Sequence, residues 1–153
     1  MAPLGQLPPV SYPMDRVACD IMGPLPLTYT GNKYIVVFTD YLTKWVEVFA
    51  TADMTAVTLA KLFVEGIVCR FSSPRVLLTD RGTQFTSELM RQICTLCETQ
   101  KVFTSAYNPK CDGLVERFNR TLADMLSKFV SKNQRDWDER LPYLSHAYRT
   151  SVH

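Results

Sequence analysis

Tyr34 to Thr39, YIVVFT, is a near-continuous run of β-branched and aromatic residues. It is too short for a stable helix and apolar on both faces, so it fits a strand buried inside a sheet. Its neighbours are read against it. Arg16 to Ile21 is a second strand, ended by Gly-Pro-Leu-Pro. Lys44 to Ala50 (KWVEVFA) alternates as a strand with one wetter face does, and the short link Asp40-Tyr-Leu-Thr joins it to YIVVFT as a hairpin. The period changes at Thr55. Leu59, Leu62, Phe63, Ile67 and Phe71 fall at helical spacing, with Asp53 or Thr55 as the cap and Ser-Ser-Pro as the stop. Arg75 to Thr79 is a short buried strand, Thr86 or Ser87 opens a helix to about Glu98, and Lys101 to Ser105 is a last strand. A Pro/Gly loop leads into a long helix with Val115, Phe118, Leu122, Met125, Leu126 and Phe129 on its apolar face. A final helix, from about Asp136 to Tyr148 and disturbed at Pro142, buries Trp137, Leu141, Leu144 and Tyr148. Three strands followed by αβαβαα predict an α/β fold, a mixed sheet with helices on both faces.

The 153 residues suffice for one domain with a real core. No apolar run approaches the length of a membrane span, and a membrane partner is not expected. The opening MAPLGQLPPVSYPMD has neither the basic nor the apolar region of a signal peptide. It reads as a Pro-rich arm over residues 1–15, ahead of a core over residues 16–153. Five cysteines, an odd number without a secretion signal, point to a reducing compartment. Cys94 and Cys97 have CxxC spacing but no second ligand pair, so they read as a structural pair on one helix face. The net charge of +2 does not by itself call for nucleic acid. Its distribution says more, because the segment from Asn108 to Arg135 holds six bases against three acids.

Three acids stand in notable places. Asp20 lies inside the apolar strand VACDIM, Asp80 at the end of the fourth strand, and Glu116 early in the long helix. A carboxylate within a buried sheet is expensive unless something compensates it. Two strand ends and a helix start can bring three carboxylates together, and like charges that close raise at least one pKa. A divalent cation relieves the repulsion, and all-oxygen ligation suits Mg²⁺ or Mn²⁺ rather than Zn²⁺. Two such ions about 4 Å apart can clamp the attacking and leaving oxygens of a phosphoryl displacement. Thirty-five residues lie between Asp80 and Glu116, but fifteen acids produce such a gap by chance too often for spacing alone to decide. Asp40 fits a hairpin corner better than a metal site, Asp53 fits a cap, and Asp112 fits the turn or the start of the long helix.

The context carries the reading further. VACDIMGPLP, LLTDRGTQFTS and NPKCDGLVERFNRTL, in this order, resemble the catalytic core of a retroelement integrase, with the match close to the Gypsy-type retrotransposon branch. The resemblance runs from about Val17 to the C-terminus. It implies an RNase H-like fold, a five-stranded mixed sheet whose first three strands are antiparallel, flanked by helices. It implies an Asp-Asp-Glu triad at Asp20, Asp80 and Glu116 that holds Mg²⁺ (or Mn²⁺), two ions when DNA is bound. It implies 3′-end processing and strand transfer on DNA, in a homodimer or higher oligomer acting in the nucleus. Gln84, Lys110, Arg117, Asn119 and Arg120 are the candidate DNA contacts, with Arg120 one turn beyond Glu116. Gly82 would relax the backbone of the turn after Asp80. The sequence departs from the family in the loop, where Asn108 and Cys111 stand in place of His and a hydroxyl residue. The zinc module and C-terminal region that accompany such cores are not in this sequence, so the core reads as truncated at its C-terminus. The alternatives are a domesticated domain that binds DNA or protein without catalysis, and a plain RNase H-type nuclease.

Overall fold

The computed structural model describes residues 7–104 and 109–150, with side chains for residues 7–104 and 120–150. Strands β1 (Arg16–Met22), β2 (Tyr34–Asp40) and β3 (Val46–Thr51) form an antiparallel meander. Strands β4 (Val76–Thr79) and β5 (Gln100–Phe103) then add on the other side of β1, both in parallel. The sheet order is β3-β2-β1-β4-β5, the five-stranded mixed sheet expected. YIVVFT is indeed interior, with Ile35 to Thr39 all buried.

The helices cover both faces. Helix α1 (Ala56–Leu62) runs into a π-helical stretch (Phe63–Val68) and a final turn, α2 (Cys69–Phe71). The π stretch packs tightly on β3, since a Cβ on Gly66 would come within 2.7 Å of the Phe49 ring. The cap of α1 is Thr55, whose hydroxyl accepts from Thr58 N at 3.3 Å. Asp53 stands behind it, accepting from Thr55 N at 3.1 Å and from the Thr58 hydroxyl at 2.6 Å. A short α3 (Thr83–Thr86) leads into α4 (Glu88–Leu96), capped by Ser87. Helix α5 (Pro109–Asn133) starts at its proline, where the missing N–H costs nothing. The expected loop is therefore shorter, and Lys110, Asp112 and Gly113 belong to the helix. Helix α6 (Leu141–Thr150) likewise begins beside Pro142, so that proline marks a start rather than a disturbance.

Alternation along the strands sorts two layers. Val17, Cys19, Val36, Phe38 and Leu77 face α1, its π continuation and α4. Ile35, Val37 and Val46 face α5 and α6, against Leu122, Leu126, Trp137 and Tyr148. Ala18, Val76 and Leu78 share a third cluster with Tyr41, and there Leu7 and Val10 of the Pro-rich arm supply the cover. Polar anchors hold the edges. Glu47 on β3 is buried and accepts from Trp45 Nε1 at 3.0 Å and from the guanidinium groups of Arg70 and Arg149, which ties α6 to the edge strand. Among the described residues, no helix is long and apolar enough to cross a membrane.

The arm is fastened by an ion pair between Arg75 and Asp15, whose side chain is only 2% exposed. Hydrogen bonds from Arg75 hold the Asp15 carboxyl down to about 2, against burial that would raise it, and Ser11 N adds a further donor at 3.0 Å. A carboxyl lowered in the folded state contributes stability that is full above its unfolded value of about 4 and is lost as pH falls toward 2. With screening at the half-exposed Arg75 end, the contribution is about 1–2 kcal/mol. Urea unfolding of Asp15→Asn at a series of pH values is expected to show that deficit at pH 7 and convergence with the parent near pH 2. A deficit independent of pH would refute the assignment.

Candidate metal centre at the ends of β1 and β4

The parallel pairing of β1 with β4 sets Val17 beside Leu77 and Ala18 beside Leu78. Two residues further along each chain come Asp20 and Asp80. Alternation places Asp20 on the face of Ala18, turned away from the cluster that holds Cys19. Asp20 is exposed at its own surface, yet the surrounding protein displaces enough solvent to raise its carboxyl above the ordinary range. Ile21 N, donating to Asp20 Oδ1 at 2.9 Å, works against that rise, and the nearby charge of Asp80 adds to it.

Asp80 is the first residue beyond the β4 ladder. Its Oδ1 accepts from Gly82 N at 2.8 Å. Gly82 has an ordinary backbone, φ −55° and ψ 148°, so the turn does not need its conformational freedom. It needs space instead. A Cβ there would meet Gln84 Oε1 at 2.9 Å and Asp80 Oδ1 at 3.0 Å. Gln84 is half-buried and, with Thr83, lines an open groove of about 570 Å³ whose far side is Lys33, Tyr34 and Met54.

Several other acids are already engaged. Asp40 is buried and accepts from the Thr43 hydroxyl at 2.6 Å, the hairpin-corner role expected of it. Asp15 and Glu47 pair with arginines. Asp138 accepts from Thr28 Oγ1 at 2.7 Å and Asn32 Nδ2 at 2.9 Å, and so docks the β1–β2 loop beside α6. Asp20 and Asp80 make no ion pair among the described residues, and the hydrogen bonds seen to their carboxylates are one each, from Ile21 N and Gly82 N. Two neighbouring carboxylates, the charge of Asp80 adding to the rise at Asp20, offer oxygen-only donors that fit a hard divalent cation. Among the described residues there is no group of three acids, histidines or cysteines able to hold a metal. Glu116, Lys110, Arg117 and Asn119 lie on the backbone of α5, but their side chains fall outside the described residues. Arg120 is exposed on the same helix.

One residue near the acids had no role in the sequence reading. Lys101 on β5 reaches Thr79, the residue before Asp80, and burial lowers its ammonium to about 8. A lysine in a short strand looks like a solvent-facing position, and nothing in the local pattern marks it otherwise.

A five-stranded sheet in this order, helices on both faces and paired acids at the ends of adjacent parallel strands define an α/β core of the RNase H-like class. The catalytic core domain of BIV integrase shares the fold, with a TM-score of 0.71 over 92% of this chain and 86% of that one at 22% identity. The sequence pattern of the integrase core domain matches residues 11–109, and the chain belongs to that family. The Pol polyprotein of Radiation murine leukemia virus (strain Kaplan) is 39% identical over 113 residues, 73% of this chain and 19% of the polyprotein. The Gag-Pol polyprotein of Koala retrovirus is 37% identical over 113 residues, 73% of this chain and 7% of that protein. The retrovirus-related Pol polyprotein from transposon 412 of Drosophila melanogaster is 29% identical over 140 residues, 92% of this chain and 11% of the polyprotein. The chain thus spans less than a fifth of the length of these relatives. Family membership supports a general DNA-processing function.

The crowding at Gly82 gives a direct expectation. Gly82→Ala is expected to cost about 1–2 kcal/mol in urea unfolding. Adding Gln84→Ala, which removes one of the two close contacts, should return part of the loss. Equal stability of Gly82→Ala and the parent would show that the turn has room to spare.

Proposed function

We propose that the chain is the catalytic core of an integrase that processes the 3′ ends of element DNA and joins them to a target duplex. The observation that carries the reading is the pair of acids, Asp20 and Asp80, which make no ion pair among the described residues and stand at the ends of adjacent strands in a chain of this family. Glu116, from α5, is the third member of the proposed set. Asp20, Asp80 and Glu116 would together hold Mg²⁺ (or Mn²⁺), two ions when DNA is bound. When bound, the ions supply Lewis acidity to the phosphodiester and lower the pKa of the attacking water or hydroxyl.

The remaining work falls to the chain. Gly82 N holds the Asp80 carboxylate by its Oδ1, and Oδ2 would be the oxygen offered to a cation. Arg120 and Asn119, on the helix that carries Glu116, would hold the phosphate backbone, with Lys110 and Arg117 adding positive charge along the DNA and Gln84 contacting it from the turn. No side-chain nucleophile is required. Cys19, beside Asp20, is buried in the apolar layer, where burial pushes its thiol far up and keeps it inert. DNA ends and a target duplex are the substrates on this reading, and a homodimer or higher oligomer acting in the nucleus is its setting.

The test is Mg²⁺- or Mn²⁺-dependent strand transfer on a branched DNA substrate. The parent is expected to react, and Asp80→Asn and Asp20→Asn to lose at least roughly a hundredfold of the rate. Equal activity in parent and variants, or none in any with metal bound, would leave a non-catalytic DNA- or protein-binding module.

A further inference from the structure

Lys101 stands opposite Leu77 in the β4–β5 register, so its side chain enters the apolar layer beneath α4, on the sheet face away from the two acids. Its ammonium lies 4.0 Å from the centre of the Phe103 ring and 6.0 Å from that of Phe85. Methionine or leucine would fill this volume without desolvating a charge. The cation is therefore costly where it sits, and its contacts show what it holds.

The ammonium donates to Thr79 Oγ1 and to the Val102 carbonyl at 3.3 Å. Thr79 is buried, and its hydroxyl donates onward to the Asp80 carbonyl at 2.9 Å. On the other side of Asp80, the Arg81 guanidinium lies 4.5 Å from the centre of the same Phe103 ring. Phe103 faces Thr79 in the β4–β5 register. Both neighbours of Asp80 are thus tied to β5, one through Lys101 and one through Phe103. This matters because the β4 ladder stops at Thr79. Asp80 is the first residue without strand pairing, and its carboxylate needs its backbone fixed by other means.

We propose that Lys101 is a positioning residue that fixes the Asp80 turn for metal binding, acting through Thr79 from the opposite face of the sheet. It touches neither metal nor DNA. The proposal rests on the reading of Asp80 as a metal ligand.

The test uses the whole chain and the variants Lys101→Met, Lys101→Arg, Thr79→Val and Lys101→Met/Thr79→Val. Mn²⁺ binding is followed by the loss of the free-ion electron paramagnetic resonance signal, and exchange of the Gly82 amide by NMR. Lys101→Met should melt at or above the parent temperature, yet need on the order of tenfold more Mn²⁺ for half-saturation and exchange Gly82 faster. Thr79→Val should move both readouts the same way, and the double variant no further than Lys101→Met. Lys101→Arg, which keeps a charged donor, should recover most of the affinity. The competing view makes Lys101 only a nearby charge, and then its removal would tighten Mn²⁺ binding. Tighter or unchanged binding with Gly82 protection intact overturns the proposal. If Lys101→Met does not fold, Thr79→Val and Lys101→Arg decide by the same criteria. If the parent and Asp80→Asn bind Mn²⁺ alike, the metal reading has failed, and Gly82 exchange alone then decides whether Lys101 orders the turn.

Discussion

The parallel pairing of β1 with β4 is short, three residue pairs from Arg16 and Val76 to Ala18 and Leu78. The rest of the site depends on it. It joins an antiparallel meander to two later strands, and it pairs segments sixty residues apart side by side. Its apolar residues lie between two packed layers, which fixes the register, because a slip of one residue would turn every side chain to the wrong face. Carried on by two residues, the same register brings Asp20 to Asp80. The hydrophobic alternation that closes the core therefore also aims the acids. A change at Val17 or Leu77 would act on the site through register before it acted through any direct contact.

Partnership separates structural acids from functional ones more sharply than burial does. Asp15 and Glu47 are both buried, yet each is neutralised by arginine. Asp40 and Asp138 are satisfied by hydroxyl, amide and backbone donors within turns. Among the described residues, Asp20 accepts from Ile21 N and Asp80 from Gly82 N, one donor each. The fold finds partners for its buried acids among the described residues and leaves these two exposed, adjacent ones with few, which marks them as the candidate site. This contrast in partners, more than the sequence spacing of the acids, is what a cation would answer.

The elements were legible in the sequence where the period was strong. YIVVFT could only be an interior strand, and the change of period at Thr55 located α1. The misjudged places share a cause, which is that tertiary packing overrode a local signal. Pro109 and Gly113 read as a loop, but Pro suits the first helical position and one Gly is tolerated in a 25-residue helix with a long apolar face. The π stretch was invisible because Leu59, Phe63 and Ile67 keep α-like spacing, and the widening occurs where Gly66 meets Phe49. Of the site, Asp20 was legible because an acid inside VACDIM has no cheap explanation. Gly82 was legible as important but for the wrong reason, since its constraint is the carboxylate beside it and not its dihedral angles. Lys101 was not legible at all. Its role depends on which face of β5 is buried, and that is settled only by the β4–β5 register.

The two sides of the sheet contribute differently to the same turn. On the side of the acids, apolar cover from Leu7 and Val10 lies over Ala18 and Leu78, so the surface passes from sealed to acidic within two residues of each strand. That short transition keeps the acids accessible at their tips while their surroundings are poor in water, which is why the Asp20 carboxyl is raised even though it is exposed. On the opposite side, beneath α4, the half-buried Lys101 ammonium donates to Thr79 and Val102. The arm and the Lys101 side chain are remote in sequence and lie on opposite faces of the sheet, yet they bear on the same residue pair. A loosened arm would let water under Ala18 and lower the proton affinity of Asp20. A loosened β5 would free the backbone of Asp80. The first alters the charge state of the site and the second its geometry, so damage to the two supports should be distinguishable even though both converge on the ends of β1 and β4.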